Sequence, residues 1–361
     1  MIDFELNEEQ QLIVETVRAF AAEVIRPAAH DADETQSIPQ QLIDQAWELG
    51  LVQGSIPEAY GGYASQASAL TGTLIAEGLA QGDLAIAAHI LAPRLVVDAV
   101  LNAGSEEQKK EILPLYCKDR YVAGAAAVLE PRWDFSCNKM QTTAKCDGDD
   151  IVLNGEKCYV PLAKTAPYTV VYARGTDAPI EAYLLPAGTP GIEIGERESL
   201  MGLRALETYP VTLTDVRLPA SAKLPGDASA LLRRSRVAQS AMAVGVARAS
   251  LDYSIEYAKE REAFGVKIAQ KQAIAFMLAE MAIEVDAARL LNWEAAWSVD
   301  HDNDSSRKVA LARGYTDNAV MMVTDNGVQV LGGHGFTRDH PVEMWARNGR
   351  GFAVIEGLAS V

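Results

Sequence analysis

The spacing of apolar residues changes twice along the chain, and this change limits the folds open to it. Up to about residue 122 apolar residues recur every three or four positions, which is the period of amphipathic helices. Short β-rich runs then follow one another, separated by turn dipeptides such as Asn154-Gly155, before the helical period returns and stays. The sequence therefore predicts an α+β protein, mainly α, with three domains: an N-terminal helical domain (1–122), a middle antiparallel β domain (123–226) and a C-terminal helical bundle (227–361).

Several helix ends can be predicted from capping residues and prolines. Asn7, followed three positions later by Gln10, is typical of an N-terminal capping box, and the apolar period after it should stop at Pro27. Ser105 is predicted to cap a later helix. In the C-terminal part, one helix should carry an apolar stripe that includes Val237 and Leu251, and a second long helix should run from Ile268 to Trp293.

Composition excludes several classes of partner. With 361 residues, 49% of them hydrophobic, the chain can bury a sizeable core. The 49 acidic and 32 basic residues give a formal net charge of −17, which argues against nucleic acid or an anionic membrane as the main partner. No apolar run is long enough to span a bilayer. The four cysteines lack the paired spacing of a disulfide framework, and the N-terminus resembles no targeting segment, so we expect a cytoplasmic protein with reduced thiols. The five histidines lack the spacing of metal ligands, so we expect no metal.

The C-terminal stretch carries the most specific chemistry. The run Gln329-Val-Leu-Gly332-Gly333-His-Gly335-Phe336 predicts a helix that ends in a glycine turn, where bare backbone amides can be approached closely. Further on, Glu356 is a single carboxylate in an apolar tail, a setting that makes a carboxylate a usable base. Spacing alone leaves open the alternative that Glu356 is an ordinary exposed acid.

The order of these residues resembles the C-terminal signature of the acyl-CoA dehydrogenase family. Pro341-Val-Glu follows the glycine turn, and Arg347 stands nine residues before the Glu356-Gly357 pair. The run Tyr257-Ala-Lys-Glu-Arg261-Glu-Ala-Phe264-Gly is also similar to a block of that family, as is Pro57-Glu-Ala-Tyr-Gly-Gly. The resemblance covers essentially the whole chain, and the fold it implies agrees with the one predicted from periodicity.

The resemblance implies an FAD cofactor, an acyl-CoA substrate and an α,β-dehydrogenation. Glu356 matches the base that removes the α-proton while the β-hydrogen leaves as hydride, and Arg236, predicted to begin a helix, matches a substrate-binding arginine near that base. Electron-transfer flavoprotein is the implied electron acceptor, and fatty acids or steroid side chains are the implied acyl groups. Taken singly, Arg236 is equally explained as a solvent-facing charge, whereas Arg261 is better explained by a surface salt bridge and Phe264 by a place in the core. The residues that match contacts to a neighbouring subunit's FAD are Arg261, Phe264, Gln272, Gln329, Gly332 and Gly333.

The chain departs from the family where a subunit contacts its own flavin. Leu129 and Pro161 stand where the family has hydroxyl side chains, Asp134 puts a negative charge near the expected pyrophosphate path, and Phe135 replaces a small residue. Leu358 also stands where the family has threonine after the Glu-Gly pair.

This division resembles a subunit of a hetero-oligomeric acyl-CoA dehydrogenase, as in the mixed tetramers of some steroid-degrading bacteria. We expect a homo- or hetero-oligomer arranged as a dimer of dimers. Two alternatives stay open: a non-catalytic partner that completes another chain's FAD site, and a flavin-free lyase that uses Glu356 as its base.

Overall fold

The computed structural model describes residues 4–64, 68–175, 178–301, 304–352 and 354–361. It has the three-part architecture predicted from the apolar period, with helices, then strands, then helices. The N-terminal helices are α1 Glu8–Phe20, α2 Arg26–Thr35, α3 Gln40–Glu48, α4 Ala69–Gly82, α5 Leu84–Leu91, α6 Arg94–Ala103 and α7 Glu106–Ile112. The strands that follow are β1 Ala125–Ala127, β2 Thr143–Asp147, β3 Asp150–Pro161, β4 Tyr168–Ala173, β5 Glu181–Pro186, β6 Ile192–Ile194 and β7 Thr208–Pro219. The C-terminal elements are α8 Ala228–Glu260, β8 Glu262–Ala263, β9 Val266–Lys267, α9 Gln272–His301, α10 Ser306–Leu331 and α11 Val342–Phe352.

The first helix begins as predicted but does not end where predicted. Both capping boxes are present, at Asn7 and at Ser105. The chain passes Pro27 without a break, because a π-helical turn over Ala21–Ile25 joins α1 to α2. This turn widens the helix and shifts the hydrogen-bond register just before the residue that has no amide to donate. The prediction that the helix stops at Pro27 is therefore wrong.

The middle domain contains two sheets, and one strand pair in it is parallel. Strands β2, β3, β7 and β6 form an antiparallel sheet in the order 2-3-7-6. In the other sheet β4 pairs antiparallel with β5 but parallel with β1, with Ala125 opposite Thr169. The predicted antiparallel β domain is confirmed, and the parallel pairing of β1 with β4 is an addition to it that the long connection through β2 and β3 allows. Strand β1 is composed of three alanines, which have low β-propensity, and it was not predicted.

Helix α8 is the centre of the C-terminal bundle and contacts α4, α9 and α10. Its predicted stripe from Val237 to Leu251 is buried. A side chain at Gly245 would meet the main-chain oxygen of Glu77, so the glycine permits close packing of α8 on α4. Helix α9 begins at Gln272 and not at Ile268, because residues 268–270 form a 3-10 turn. Within the described part of the chain no single helix meets the length and hydropathy needed to cross a membrane, and the bent pair α5–α6 meets them only jointly.

Candidate active site

Glu356 lies in an irregular segment that follows α11 and packs against α8. Its neighbours Ile355 and Leu358 are buried, so the segment is fixed by apolar contacts on both sides of the carboxylate. The Glu356 side chain is 19% exposed, and its Oε1 lies 3.3 Å from Nε of Arg236. The apolar setting predicted for Glu356 is present, and the alternative of an ordinary exposed acid is not what the structure shows.

Arg236 lies in the third turn of α8 and not at the beginning of the helix, since α8 starts at Ala228. Burial works against its charged form, but interactions with Glu356 and Cys137 together outweigh that effect and raise the pKa of Arg236. A terminal nitrogen of Arg236 lies 3.6 Å from Sγ of Cys137. Burial raises the pKa of the Cys137 thiol to about 11, and the nearby Glu356 charge adds to this. The carboxylate therefore faces a cation and a neutral thiol at neutral pH.

Two further side chains hold the Glu356 segment, and sequence analysis missed both. Nε2 of Gln239 donates to the carbonyl oxygen of Ile355 over 2.9 Å. Arg313 on α10 donates to the carbonyl oxygen of Phe352 over 3.2 Å. The available signal was that Gln239 follows Arg236 by three positions, on the same helical face, within an otherwise apolar stripe.

A second group of predicted residues lies on the exposed β8–β9 hairpin between α8 and α9. Arg261 and Gln272 flank this hairpin and are exposed. Phe264 is 96% exposed and has a φ of +54°, a left-handed conformation that is unusual for an aromatic residue. Among the described residues the Arg261 side chain has no hydrogen-bond or ion-pair partner. An exposed ring on a left-handed backbone, together with an exposed guanidinium on the same hairpin, forms a surface suited to an external ligand or partner.

The glycine turn lies beside this hairpin. Gly332 has a φ of +59°, and a Cβ on Gly332 or Gly333 would meet no atom within 4 Å, so the backbone there is open to approach. Gln329 in the last turn of α10 is exposed as well. The hydroxyl of Tyr257 lies 2.8 Å from Nδ1 of His334, which ties the turn to α8. A cavity of about 390 Å³ lies between the glycine turn and the end of α8. It is lined by Tyr253, Glu256, Tyr257, Glu260, Arg261, His334 and His340.

The two groups are far apart in one chain. Arg236 and Arg261 are 25 positions apart (261 minus 236) along α8. At about 1.5 Å per residue this places them about 37 Å apart. The structure thus brings Arg236 to Glu356, and it brings Arg261 to the glycine turn, but it does not bring the two pairs together within one subunit.

The turn predicted to face the subunit's own flavin is built on a buried ion pair. The Glu130 carboxylate accepts hydrogen bonds from the amides of Gln141 and Thr142 and lies 3.4 Å from Nζ of Lys157. Burial opposes ionisation of Glu130, but these partners outweigh it and lower its pKa. Burial also lowers the pKa of Lys157, to about 8, although Glu130 counteracts that effect. The backbone of the turn after Leu129 is therefore held by the Glu130 interactions, independently of the side chains that the turn exposes.

The side chains on this turn and on β3 differ from a polar flavin site. Asp134 is paired with Arg132 over 2.9 Å, so a neighbouring cation partly compensates the negative charge at this position. Leu129 accepts a hydrogen bond from the amide of Cys158 through its main-chain oxygen only. Tyr159 has a φ of +53° at an irregularity of β3, and its amide donates to Glu198. Strain of this kind is common beside functional sites.

Comparisons with known proteins cover the whole chain. Models of the acyl-CoA dehydrogenase N-terminal, middle and C-terminal domains match residues 7–120, 125–216 and 227–361. A probable acyl-CoA dehydrogenase of Bacillus subtilis is 33% identical over 373 aligned positions, which span 100% of this chain and 97% of that protein. The mitochondrial short-chain specific acyl-CoA dehydrogenase of Bos taurus is 32% identical over 99% of this chain and 89% of its own length.

Solved structures agree with these relatives. Butyryl-CoA dehydrogenase from Megasphaera elsdenii has a TM-score of 0.88 and 29% identity, with 99% of this chain and 96% of that chain covered. A glutaryl-CoA dehydrogenase from Mycobacterium smegmatis in complex with FADH2 has a TM-score of 0.86 and 28% identity, with 98% and 92% covered.

Proposed function

The chain belongs to the acyl-CoA dehydrogenase family, whose cofactor is FAD, and we propose that it acts in the α,β-dehydrogenation of an acyl-CoA thioester with Glu356 as the base. The observation that carries this proposal is the Glu356 carboxylate itself. It stands in an apolar segment, partly shielded from water, with Arg236 within 3.3 Å. A base for a weakly acidic C–H group needs such a fixed and partly desolvated position.

The chain's own residues have separate tasks in this reaction. Glu356 takes the α-proton of the thioester, and Arg236, whose Nε lies 3.3 Å from Oε1 of Glu356, orients the carboxylate before the proton arrives. Cys137 stays neutral beside them, since burial keeps its pKa high. Bound FAD supplies the acceptor for the hydride that leaves the β-carbon.

The exposed group at the far end of α8 fits a flavin held by a neighbouring subunit. Arg261 offers an exposed guanidinium fork for a pyrophosphate, and Phe264 offers an exposed ring for stacking. The amides of Gly332 and Gly333 are open to polar groups, as are the side chains of Gln272 and Gln329. Because this group lies about 37 Å from Arg236 along α8, the proposal assigns it to the partner's cofactor, in an oligomer arranged as a dimer of dimers.

The subunit's own flavin contacts support a heteromer. Leu129 and Phe135 offer no side-chain hydrogen bond, and Pro161 offers neither a hydroxyl nor an amide proton. We propose that a second type of chain with polar residues at these positions completes the ring site. A fatty acyl or steroid side-chain thioester as substrate, electron-transfer flavoprotein as acceptor and the cytoplasm as location belong to the same proposal.

The Glu356→Gln variant tests the proposal, on the assembled complex purified with its partner chains. The amide cannot accept the α-proton, so dehydrogenation should be abolished while acyl-CoA binding is retained. Glu193→Gln, an exposed acid on β6, is the matched control and should leave turnover unchanged. Retained turnover in Glu356→Gln would contradict the assignment of the base.

A second candidate function is that of a non-catalytic partner that completes another chain's FAD site. The observation that favours it is the apolar set at Leu129, Phe135 and Pro161, combined with the intact surface at Arg261. The partner function predicts the opposite result in the same experiment, namely that the Glu356→Gln complex still dehydrogenates acyl-CoA.

A further inference from the structure

The segment that carries the proposed base has main-chain groups that no regular element satisfies. Glu356 follows α11 in irregular backbone, and the flanking residues Phe352 and Ile355 are almost fully buried. Buried carbonyl groups need donors. Phe352 receives one from Arg313 over 3.2 Å, and Ile355 receives one from Gln239 over 2.9 Å.

The two donors are also bonded to each other. A terminal nitrogen of Arg313 donates to Oε1 of Gln239 over 3.0 Å, and Nε of Arg313 donates to Asp317 over 3.0 Å. Gln239 has no exposed surface, so its amide has one orientation that satisfies both partners: oxygen towards Arg313 and nitrogen towards Ile355. The result is a continuous path of hydrogen bonds from Asp317 to the residue before the base.

Helix α8 holds Glu356 at two points. Arg236 pairs with the carboxylate, and Gln239, three positions later on the same face, binds the preceding carbonyl. We propose that Gln239 and Arg313 are positioning residues that set the distance and direction of the Glu356 carboxylate towards the α-carbon of the substrate. This inference deepens the proposed function and rests on it.

The effect should appear in the proton-transfer step more than in binding. A displacement of about 1 Å in a reacting group can cost about a hundredfold in rate. Gln239→Met keeps the volume of the side chain but removes both hydrogen bonds, so the segment loses its support at Ile355. We expect kcat to fall about ten- to a hundredfold with a nearly unchanged KM. The kinetic isotope effect for α-deuterated substrate should increase, because proton abstraction becomes more rate-limiting.

Exchange of the α-proton with D2O gives a second readout, which reports on the base and not on hydride transfer. The assembled complex is incubated with saturated acyl-CoA in D2O, and deuterium at the α-carbon is followed by mass spectrometry. Gln239→Met should slow this exchange by the same factor as kcat, and Arg313→Lys, which keeps a charged donor, should slow it less. If Gln239→Met does not fold, Gln239→Asn, which is one methylene shorter, takes its place with the same expectation.

Gln108→Met is the matched control. Gln108 is also a buried amide that donates to loop carbonyls, those of Ser221 and Lys223, but it lies on α7 in the N-terminal domain. Gln108→Met should lower stability without changing kcat or the isotope effect. Wild-type kcat and isotope effect in Gln239→Met would overturn this inference alone. A wild-type complex without dehydrogenation or exchange would instead overturn the proposed function, and the inference with it.

Discussion

Gly357, the residue directly after the proposed base, is the most sensitive position in the site for a small substitution. Its φ is +80°, a left-handed conformation that side chains disfavour. A Cβ built on Gly357 would lie 2.6 Å from a methyl group of Val128. Val128 is buried and directly precedes Leu129. Gly357→Ala therefore disturbs the base and the flavin-facing turn together.

The size of the effect follows from two separate costs. Alanine in the left-handed region costs about 1–2 kcal/mol. Overpacking against a buried neighbour typically costs about 1–3 kcal/mol more. Together these lower the free energy of unfolding by about 2–5 kcal/mol. The matched control is Gly148→Ala, because Gly148 has a φ of +64° but no atom within 4 Å of its Cβ position. Gly148→Ala should lose only the conformational contribution, about 1–2 kcal/mol of the free energy of unfolding.

Urea unfolding and steady-state turnover, measured on the same preparations, separate these contributions. Gly357→Ala should lose more stability than Gly148→Ala, and of the two variants only Gly357→Ala should lose turnover, since Glu356 must move with its neighbour. Equal stability losses, with turnover preserved in Gly357→Ala, would refute the reasoning that Val128 and the Glu356 segment are in close contact.

Two further predictions concern the flavin. Arg261→Ala should weaken flavin retention by the oligomer about tenfold, through loss of a charge-assisted bond to the neighbour's cofactor. The control Lys259→Ala, which changes an exposed neighbour, should retain flavin as the wild type does. The FAD content of both variants is measured after gel filtration, and equal content would show that the cross-subunit assignment is wrong. The chain expressed alone should purify with much less than one FAD per polypeptide, because Leu129 and Pro161 leave the flavin-ring site without side-chain donors. The absorbance of FAD released by denaturation measures this ratio. One FAD per chain in an active homo-oligomer would contradict the proposed heteromer.

The sequence was informative where local chemistry decides the structure. The capping boxes at Asn7 and Ser105 were predictable because cap and partner are three residues apart. The passage of the helix through Pro27 was not, because a π turn is a compromise between the proline and the packing of the whole helix. The parallel pairing of β1 was also unpredictable, since its three alanines carry no strand signal and Ala125 pairs with Thr169, 44 positions later (169 minus 125).

The candidate site divides in the same way. The family resemblance located Glu356 and Arg236 by number, and the apolar tail indicated the burial around the carboxylate. Neither the resemblance nor the apolar tail indicated Gln239 or Arg313, because their proposed role depends on contacts among α8, α10 and the segment after α11. Hydrogen-bond networks between elements become visible only when packing fixes which side chains face each other.

Helix α8 connects the two halves of the proposed site. Arg236 in its third turn contacts the proposed base of its own subunit, and Arg261, directly after its last residue, belongs to the surface proposed for the neighbour's flavin. A helix packed along most of its length moves as a rigid body, and α8 is held against α4 at Gly245, where a Cβ would meet the main-chain oxygen of Glu77. Any shift of α8 on α4 would therefore displace Arg236, which supports the proposed base, together with Arg261, which is proposed to contact the neighbour's flavin. In the proposed oligomer, the packing of α8 on α4 would thus influence the geometry of two neighbouring sites, although this packing lies in neither of them.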